Sequence, residues 1–221
     1  MIGIDIGASW IKIVKNENKA KIATPQSKKG IELFLSQFGE EKIGVAVPGP
    51  VDLKNNKVLN TPNSKCLNNF KFAKNFVINN DAYCAALAEA KFSKYKKFIF
   101  ITLGTGNGGA LVINKRVFSA EIGHIITPGK NKCNCGKVGC LEKNRKYLPQ
   151  VLAGLIDVFN PEAVVLGGGL VQGTRFKVQR LKKEILRNIF TPANRKVKIV
   201  VSSLDEFAGA LGAWYNIKSL K

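Results

Sequence analysis

Hydrophobic positions along the chain fall first into short alternating runs. IGIDI (2–6), IKIV (11–14) and AKIA (20–23) are separated by Gly7-Ala8-Ser9 and by Asn16-Glu17-Asn18, and they predict three strands joined by tight turns. The period then changes. Ile31, Leu33, Phe34, Leu35 and Phe38 recur at near-helical spacing over 29–38, and Gly39 supplies a stop. IGVAV (43–47) reads as a buried strand ending at Pro48-Gly49-Pro50. Residues 51–75, rich in Asn and Lys, read as an extended hairpin and loop. NFVINND predicts a strand running into a helix, AYCAALAEAKF, with Asn79, Asn80 and Asp81 at the junction.

The second half opens the same way. FIFITL (98–103) is a strand, Gly104 to Gly109 a glycine loop, ALVI a strand, Asn114-Lys115 a turn and VF a short third strand. Strand, glycine loop, strand, turn, strand thus occurs twice, at 2–23 and 98–118, which implies two related lobes with a cleft between them. Residues 147–159 predict a helix, and AVVL (163–166) a buried strand ending in Gly167-Gly168-Gly169. An amphipathic basic helix is predicted over 176–190, with Phe176, Leu181, Ile185 and Ile189 on one side. VKIVVSS is a last strand and 205–217 a closing helix. Hairpins mixed with helix crossovers predict an α/β protein with mixed sheets. The expected division is an N-terminal lobe over 1–94 and a C-terminal lobe over 95–204, with the helix of about 205–221 able to pack back on the first.

Composition narrows the class. The 221 residues suffice for one large domain or two small lobes, and 45% hydrophobic with 23% charged residues is globular rather than disordered. No apolar run reaches the length of a membrane span, and MIGIDIGASW lacks the features of an export signal, so a cytoplasmic protein without membrane partners is expected. The net charge of +20 would attract polyanions. The lysines are spread along the whole chain, so a solvated surface is the plainer reading and no specific nucleic-acid partner is expected.

Candidate chemistry concentrates in EIGHIITPGKNKCNCGKVGCLE (121–142). It holds the only histidine, His124, and three of the five cysteines, Cys133, Cys135 and Cys140. Four such ligands in one short loop suit a tetrahedral Cys3His zinc site. A reduced loop without metal, or a zinc knuckle for nucleic acid, are the competing readings. Carboxylates bracket the cluster at Glu121 and Glu142. The odd cysteine count argues against a disulfide framework and leaves Cys66 and Cys84 as free thiols.

Gly104-x-Gly106-x-x-Gly109 matches the dinucleotide fingerprint in its letters, but that fingerprint needs a helix after it, and ALVINKRVF alternates like a hairpin. The two hairpin loops, Asp5 to Ser9 and Gly104 to Gly106, can each aim backbone N–H groups at phosphate oxygens. Each alone is equally well an ordinary turn; as a duplicated pair they point to a phosphate clamp. Asp81 is either the cap of the helix that follows it or a general base for a substrate hydroxyl, and Asn80 could do the capping instead.

These segments together resemble the ROK family (repressors, open reading frames and sugar kinases) of the actin-like, ribonuclease H-like ATPase superfamily. DIGASWIKI (5–13) resembles its first phosphate motif, VPGPVD (47–52) its substrate-side loop and NNDAYCAALAE (79–89) its catalytic-aspartate motif. LGTGNGGALV (103–112) resembles the second phosphate motif, EIGH (121–124) with CNCGKVGCLE (133–142) the sugar and zinc signature, and VVLGGGL (164–170) the adenosine motif. The resemblance implies a two-lobed fold with mixed sheets and a zinc-bound loop, and ATP and a hexose in the cleft. It implies Asp81 as the base that activates a sugar hydroxyl, and Gly49, Asn80, Asp81, Glu121, His124 and Glu142 as sugar contacts. Asp5 would hold Mg2+ through water. Gly7, Ala8, Ser9, Gly104, Thr105, Gly106, Gly168 and Gly169 would hold the nucleotide, and His124, Cys133, Cys135 and Cys140 a structural zinc ion. The expected activity is transfer of the γ-phosphoryl of ATP to glucose or an N-acetylhexosamine.

The chain departs from the family pattern in places. Ala8 stands where a glycine is usual and Ser9 where a threonine is usual, with bulky Trp10 next. Only about two dozen residues join Glu142 to Gly167, so most of the family's helical segment after the cysteine loop is missing. That segment bears on assembly and leaves a homodimer as one open arrangement. The short linker before EIGH and the serine in DIGAS resemble the family's polyphosphate-using glucokinases, which makes polyphosphate an alternative donor. The family's regulators carry an N-terminal helix-turn-helix, whereas this chain starts at its first strand, so a kinase is expected over a repressor. A non-catalytic sugar-sensing module is the rival of another class.

Overall fold

The computed structural model describes residues 1–61, 64–104, 106–173 and 177–218. The chain divides into two compact units, Met1–Lys91 with Asp205–Lys221, and Phe92–Leu204.

In the first unit β1 (Ile2–Ile6), β2 (Trp10–Lys15) and β3 (Asn18–Ala23) form an antiparallel meander. α1 (Lys28–Ser36) crosses over to β4 (Ile43–Val47), which pairs parallel with β1. Ser27 begins α1 by accepting a hydrogen bond from the Gly30 amide at 3.1 Å. A small hairpin of β5 (Val51–Asp52) and β6 (Lys57–Val58) leads to β7 (Phe76–Asn80), parallel to β4, and then to α2 (Asp81–Phe92). The sheet order is β3-β2-β1-β4-β7.

Strand periodicity assigns the two faces of this sheet. Ile2, Ile4, Ile6, Ile43, Val45 and Val47 point into a core shared with Ile31, Phe34 and Leu35 of α1. The opposite face is covered by α6 (Ala208–Lys218), where Ala46, Cys84 of α2 and Ala213 of α6 form a small-residue cluster. Asp5 lies on this second face, with Lys12 directly across from it on β2.

The second unit repeats the arrangement. β8 (Lys97–Leu103), β9 (Asn107–Ile113) and β10 (Arg116–Ala120) form the meander, and its tight turn has positive φ at Asn114 and Lys115. After the cysteine loop come α3 (Leu148–Phe159), β11 (Ala163–Gly167), a single turn α4 (Gly169–Gln172), α5 (Val178–Asn188) and β12 (Lys198–Val201). The order is β10-β9-β8-β11-β12. Ile99, Ile101, Leu103, Leu152, Ile156, Leu181 and Ile185 build its core. The α/β class with mixed sheets, read from the sequence, is thus observed.

Local differences have local causes. β9 starts at Asn107, so the glycine loop shrinks to its first residues because Leu103 and Asn107 already pair across the hairpin. The basic helix is shorter than the pattern over 176–190, running Val178–Asn188; Phe176 lies outside the described residues. α4 was not anticipated, since four residues carry no periodic signal. Among the described residues no helix is long and apolar enough to cross a membrane.

Candidate functional site

In the first unit, three expected positions sit where a strand ends. Asp5 is the penultimate residue of β1, between buried Ile4 and Ile6. Its carboxylate reaches the first turn of α6, where a Cβ on Gly209 would fall 2.7 Å from Oδ2, so only glycine fits there. Burial pushes the Asp5 carboxyl up to about 6, and the Lys12 ammonium opposes part of that rise. A partly dehydrated carboxylate of this kind gains from a cation.

The loop that follows is held by its carbonyl groups. Thr24 donates its hydroxyl to the Gly7 carbonyl at 2.7 Å and its amide to the Ser9 carbonyl at 3.0 Å. Gln26 donates to the Ala8 carbonyl at 3.3 Å, and the Gly7 amide closes the turn onto the Trp10 carbonyl. Thr24 and Gln26 are supporting residues the sequence did not reveal, because nothing in their own neighbourhood marks them as partners of a loop some seventeen residues earlier. Bulky Trp10 stands about half exposed, with the Lys21 ammonium 4.9 Å from its ring centroid.

At the end of β7 the capping question has an answer. The Asn80 side-chain oxygen accepts from the Tyr83 amide at 3.1 Å, the geometry of a helix cap, while its amide donates to the Gly49 carbonyl at 3.1 Å. Asn80 therefore caps α2 and ties it to the 48–50 loop. The Asp81 carboxylate accepts from the Ala82 amide at 2.7 Å.

In the second unit, the glycine loop and the cysteine loop meet. The Gly104 amide bonds the Gly106 carbonyl at 2.9 Å, and Arg145 donates to the Gly104 carbonyl at 2.5 Å. Glu142 lies beside Gly106, its Oε2 3.3 Å from where a Cβ would stand. Arg145 is a third residue missed from the sequence, one of many basic residues with no local mark. Thr105 lies outside the described residues. Gly168 has φ +90° and leads into α4 with Gly169 as its first residue.

Glu121 precedes a single 3-10 turn, Ile122–His124, and is exposed. The loop then doubles back through bridges between Ile126 and Cys140 and between Lys132 and Val138. The Thr127 hydroxyl and amide both donate to the Gly139 carbonyl. This brings one ligand atom from each of His124, Cys133, Cys135 and Cys140 within 4.8 Å of one another. Cys135 and Cys140 sulfurs are 3.6 Å apart, and Cys133 Sγ lies 3.8 Å from His124 Nδ1. A tetrahedron with Zn–S near 2.3 Å and Zn–N near 2.0 Å has edges of about 3.5–3.8 Å. The donor set and its spacing therefore fit zinc. Nδ1 is the ring nitrogen turned to the sulfurs, which leaves Nε2 on the other side of the ring. The Lys137 amide draws the Cys135 thiol down, while burial pushes the Cys140 thiol up to about 12, so a bound cation would favour the Cys140 thiolate.

The ROK family profile matches residues 1–145 and 143–219. The chain is 25% identical to a xylose repressor of Bacillus spizizenii over 288 aligned positions, covering 96% of this chain and 75% of the repressor. It is 26% identical to a glucokinase of Thermotoga maritima, covering 81% of this chain and 80% of that enzyme. A ROK family glucokinase from Streptomyces griseus, solved with glucose and AMPPNP, superposes with a TM-score of 0.82 at 24% identity, over 96% of this chain and 97% of that one.

Proposed function

The chain belongs to the ROK family, as a shortened member, and from that premise we propose that it is a cytoplasmic kinase transferring the γ-phosphoryl of ATP to a hexose hydroxyl. The observation that carries the reading is at the β7–α2 junction. Asn80 caps α2 by accepting from the Tyr83 amide, which places Asp81 as the first residue of the helix directly after β7. In this reading Asp81 accepts the proton of the attacking sugar hydroxyl, the 6-hydroxyl of glucose or of an N-acetylhexosamine.

The other assignments follow from which groups each position offers. The Asn80 amide carries a second N–H beside the one given to Gly49, and the Gly49 loop lies against it. Glu121 and Glu142 accept from ring hydroxyls, and His124 donates Nε2–H to another while Nδ1 faces the metal. Zinc held by His124, Cys133, Cys135 and Cys140 is structural, because four protein ligands leave no open position. Backbone amides of Ala8, Ser9, Thr105 and Gly106 take phosphate oxygens, in turns that the Gly7 and Gly104 amides close, and Gly168 and Gly169 take the adenosine. Asp5 would hold Mg2+, which would supply positive charge to offset that of the phosphates.

The test is turnover of a hexose panel with ATP and with polyphosphate, wild type against Asp81→Asn. Phosphorylation of glucose or an N-acetylhexosamine with ATP, lost in the variant, is expected. Turnover with polyphosphate alone would replace ATP as donor. A second reading, a sugar-binding module without turnover, is favoured by the likeness to the xylose repressor. Calorimetry separates the two: hexose binding without nucleotide binding would establish the module.

A further inference from the structure

The two segments flanking the cysteine loop line an open cavity that the proposed chemistry does not use. Residues 128–131 on one side and 143–147 on the other line a space of about 510 Å³. Lys130, Lys143, Arg145 and Lys146 are among its walls, and among the described residues no carboxylate is. None of the residues assigned to sugar, nucleotide or zinc lines it. Four cationic residues around one concavity repel one another, and a bound anion relieves that repulsion.

The walls are a built structure. Asn144 is buried; it donates to the Cys140 carbonyl at 2.9 Å and accepts from the Asn131 amide at 3.4 Å. Asn131 in turn donates to the Lys143 carbonyl at 2.8 Å. Gly129 approaches so closely that a Cβ there would lie 2.0 Å from the Asn144 oxygen. The cationic side chains therefore project from a backbone already fixed from both sides.

The position matters as well. The family match breaks into two pieces that meet at 143–145, and the alignment with the xylose repressor runs over more positions than this chain has residues. The break in the family match thus falls at the rim of this cavity. Here the chain passes from Lys143 through a single turn, Arg145–Tyr147, straight into α3.

We propose that this cavity binds an oligophosphate, a short chain of linked phosphate groups, at a place separate from the phosphoryl-donor site. The volume suits a small extended ligand rather than one lone ion. Tyr147 is the single aromatic residue of the lining, and the Lys146 ammonium sits 5.1 Å from its ring centroid. That cation occupies the ring where a nucleobase would stack, which favours a bare phosphate chain over a nucleic acid. Inorganic polyphosphate and the phosphate tail of a nucleoside triphosphate share this chemistry.

The test is calorimetric titration of the full chain with tripolyphosphate, ATP, AMP and a short single-stranded RNA. Wild type is compared with a triple variant, Lys130→Ala, Lys143→Ala and Lys146→Ala, and with an equal-charge control on α5, Lys182→Ala, Lys183→Ala and Arg187→Ala. Tripolyphosphate affinity should fall at least about tenfold in the first variant and change less than about twofold in the control. ATP losing affinity by the same factor as tripolyphosphate, with AMP unaffected, assigns the natural source to nucleotide tails; tripolyphosphate alone responding assigns it to inorganic chains. Equal losses in both variants would reduce the effect to overall charge and overturn the proposal. So would unchanged affinity in the cavity variant, or RNA binding tighter than tripolyphosphate through the same lysines. Retained hexose binding shows that the variant folds, and loss of its ATP-dependent turnover would merge the cavity with the donor site and refute the separation.

Discussion

Two sheets of this molecule share one strand order and are completed by different means. Numbered within each five-stranded sheet in chain order, the third, second, first, fourth and fifth strands lie side by side. In the first unit the crossover between third and fourth strands is α1, whose Ile31, Phe34 and Leu35 bury directly on the sheet. In the second unit the same crossover is a loop of turns and bridges, then α3. The first hairpin loop is braced by Thr24 and Gln26 from the adjoining strand end, the second by Arg145 from beyond the cysteine loop. One framework can thus be closed by apolar burial or by polar ties around a ligand set. In the proposed reading the acids of the reaction, Asp5 and Asp81, sit in the half closed by packing. The sugar-recognising groups of the cysteine loop sit in the half whose shape depends on a metal. Substitutions should therefore separate turnover from shape.

The largest separation is expected at Asp81. Asp81→Asn should lower kcat by about 10³-fold or more while hexose affinity stays within about twofold. Steady-state kinetics with calorimetry checks this, and near wild-type turnover would remove Asp81 from the role of base. Cys135→Ser should do the reverse kind of damage. Metal analysis should fall from one zinc per chain to well below it, and hexose affinity should drop at least about tenfold as the loop opens. Wild-type protein purified without zinc would end the metal assignment.

Asp5→Asn sharpens the contrast within the first unit. The folded-state value of about 6 lies above the ordinary carboxyl value of 3.8, so the ionised group costs stability in the fold. Wild-type stability should be highest below the ordinary carboxyl value and decline as pH rises towards 6. Asn should remove that decline and add up to about 3 kcal/mol at neutral pH, while nucleotide affinity in the presence of Mg2+ falls. A thermal melt series from pH 4 to about 7 reads the sign; a variant less stable at neutral pH would contradict it. The smallest effect is expected at Thr24→Val, which deletes the bond to the Gly7 carbonyl. It should cost about 1 kcal/mol and raise the KM for ATP a few fold with hexose KM unchanged.

Much of the frame was legible because it rests on local periodicity. Ile2, Ile4 and Ile6 declare a strand with one buried face, and the repeated meander announced the second unit. His124, Cys133, Cys135 and Cys140 were legible as a set because ligand chemistry is rare and close in sequence. Asn80 and Asp81 were legible only as alternatives; deciding between them required seeing which oxygen meets the Tyr83 amide. Thr24, Gln26 and Arg145 were invisible, since their roles are to hydrogen-bond carbonyls from distant sequence, and any polar residue looks alike for that purpose. The approach of α6 to Asp5 was no better marked, because small residues in a helix carry no address.

That approach has a consequence for how the molecule is made. Gly209 sits against Asp5, so the environment of this acid is finished by residues made about two hundred positions later. At roughly 5–20 residues per second on the ribosome, Asp5 waits some tens of seconds for the helix that covers it. Until then its face of the sheet, with Ala46 and Cys84, is open to water and to other nascent chains. A product truncated before α6 would keep the cysteine loop and lose the cover over Asp5, so synthesis order itself would keep incomplete chains from acquiring the finished acid site.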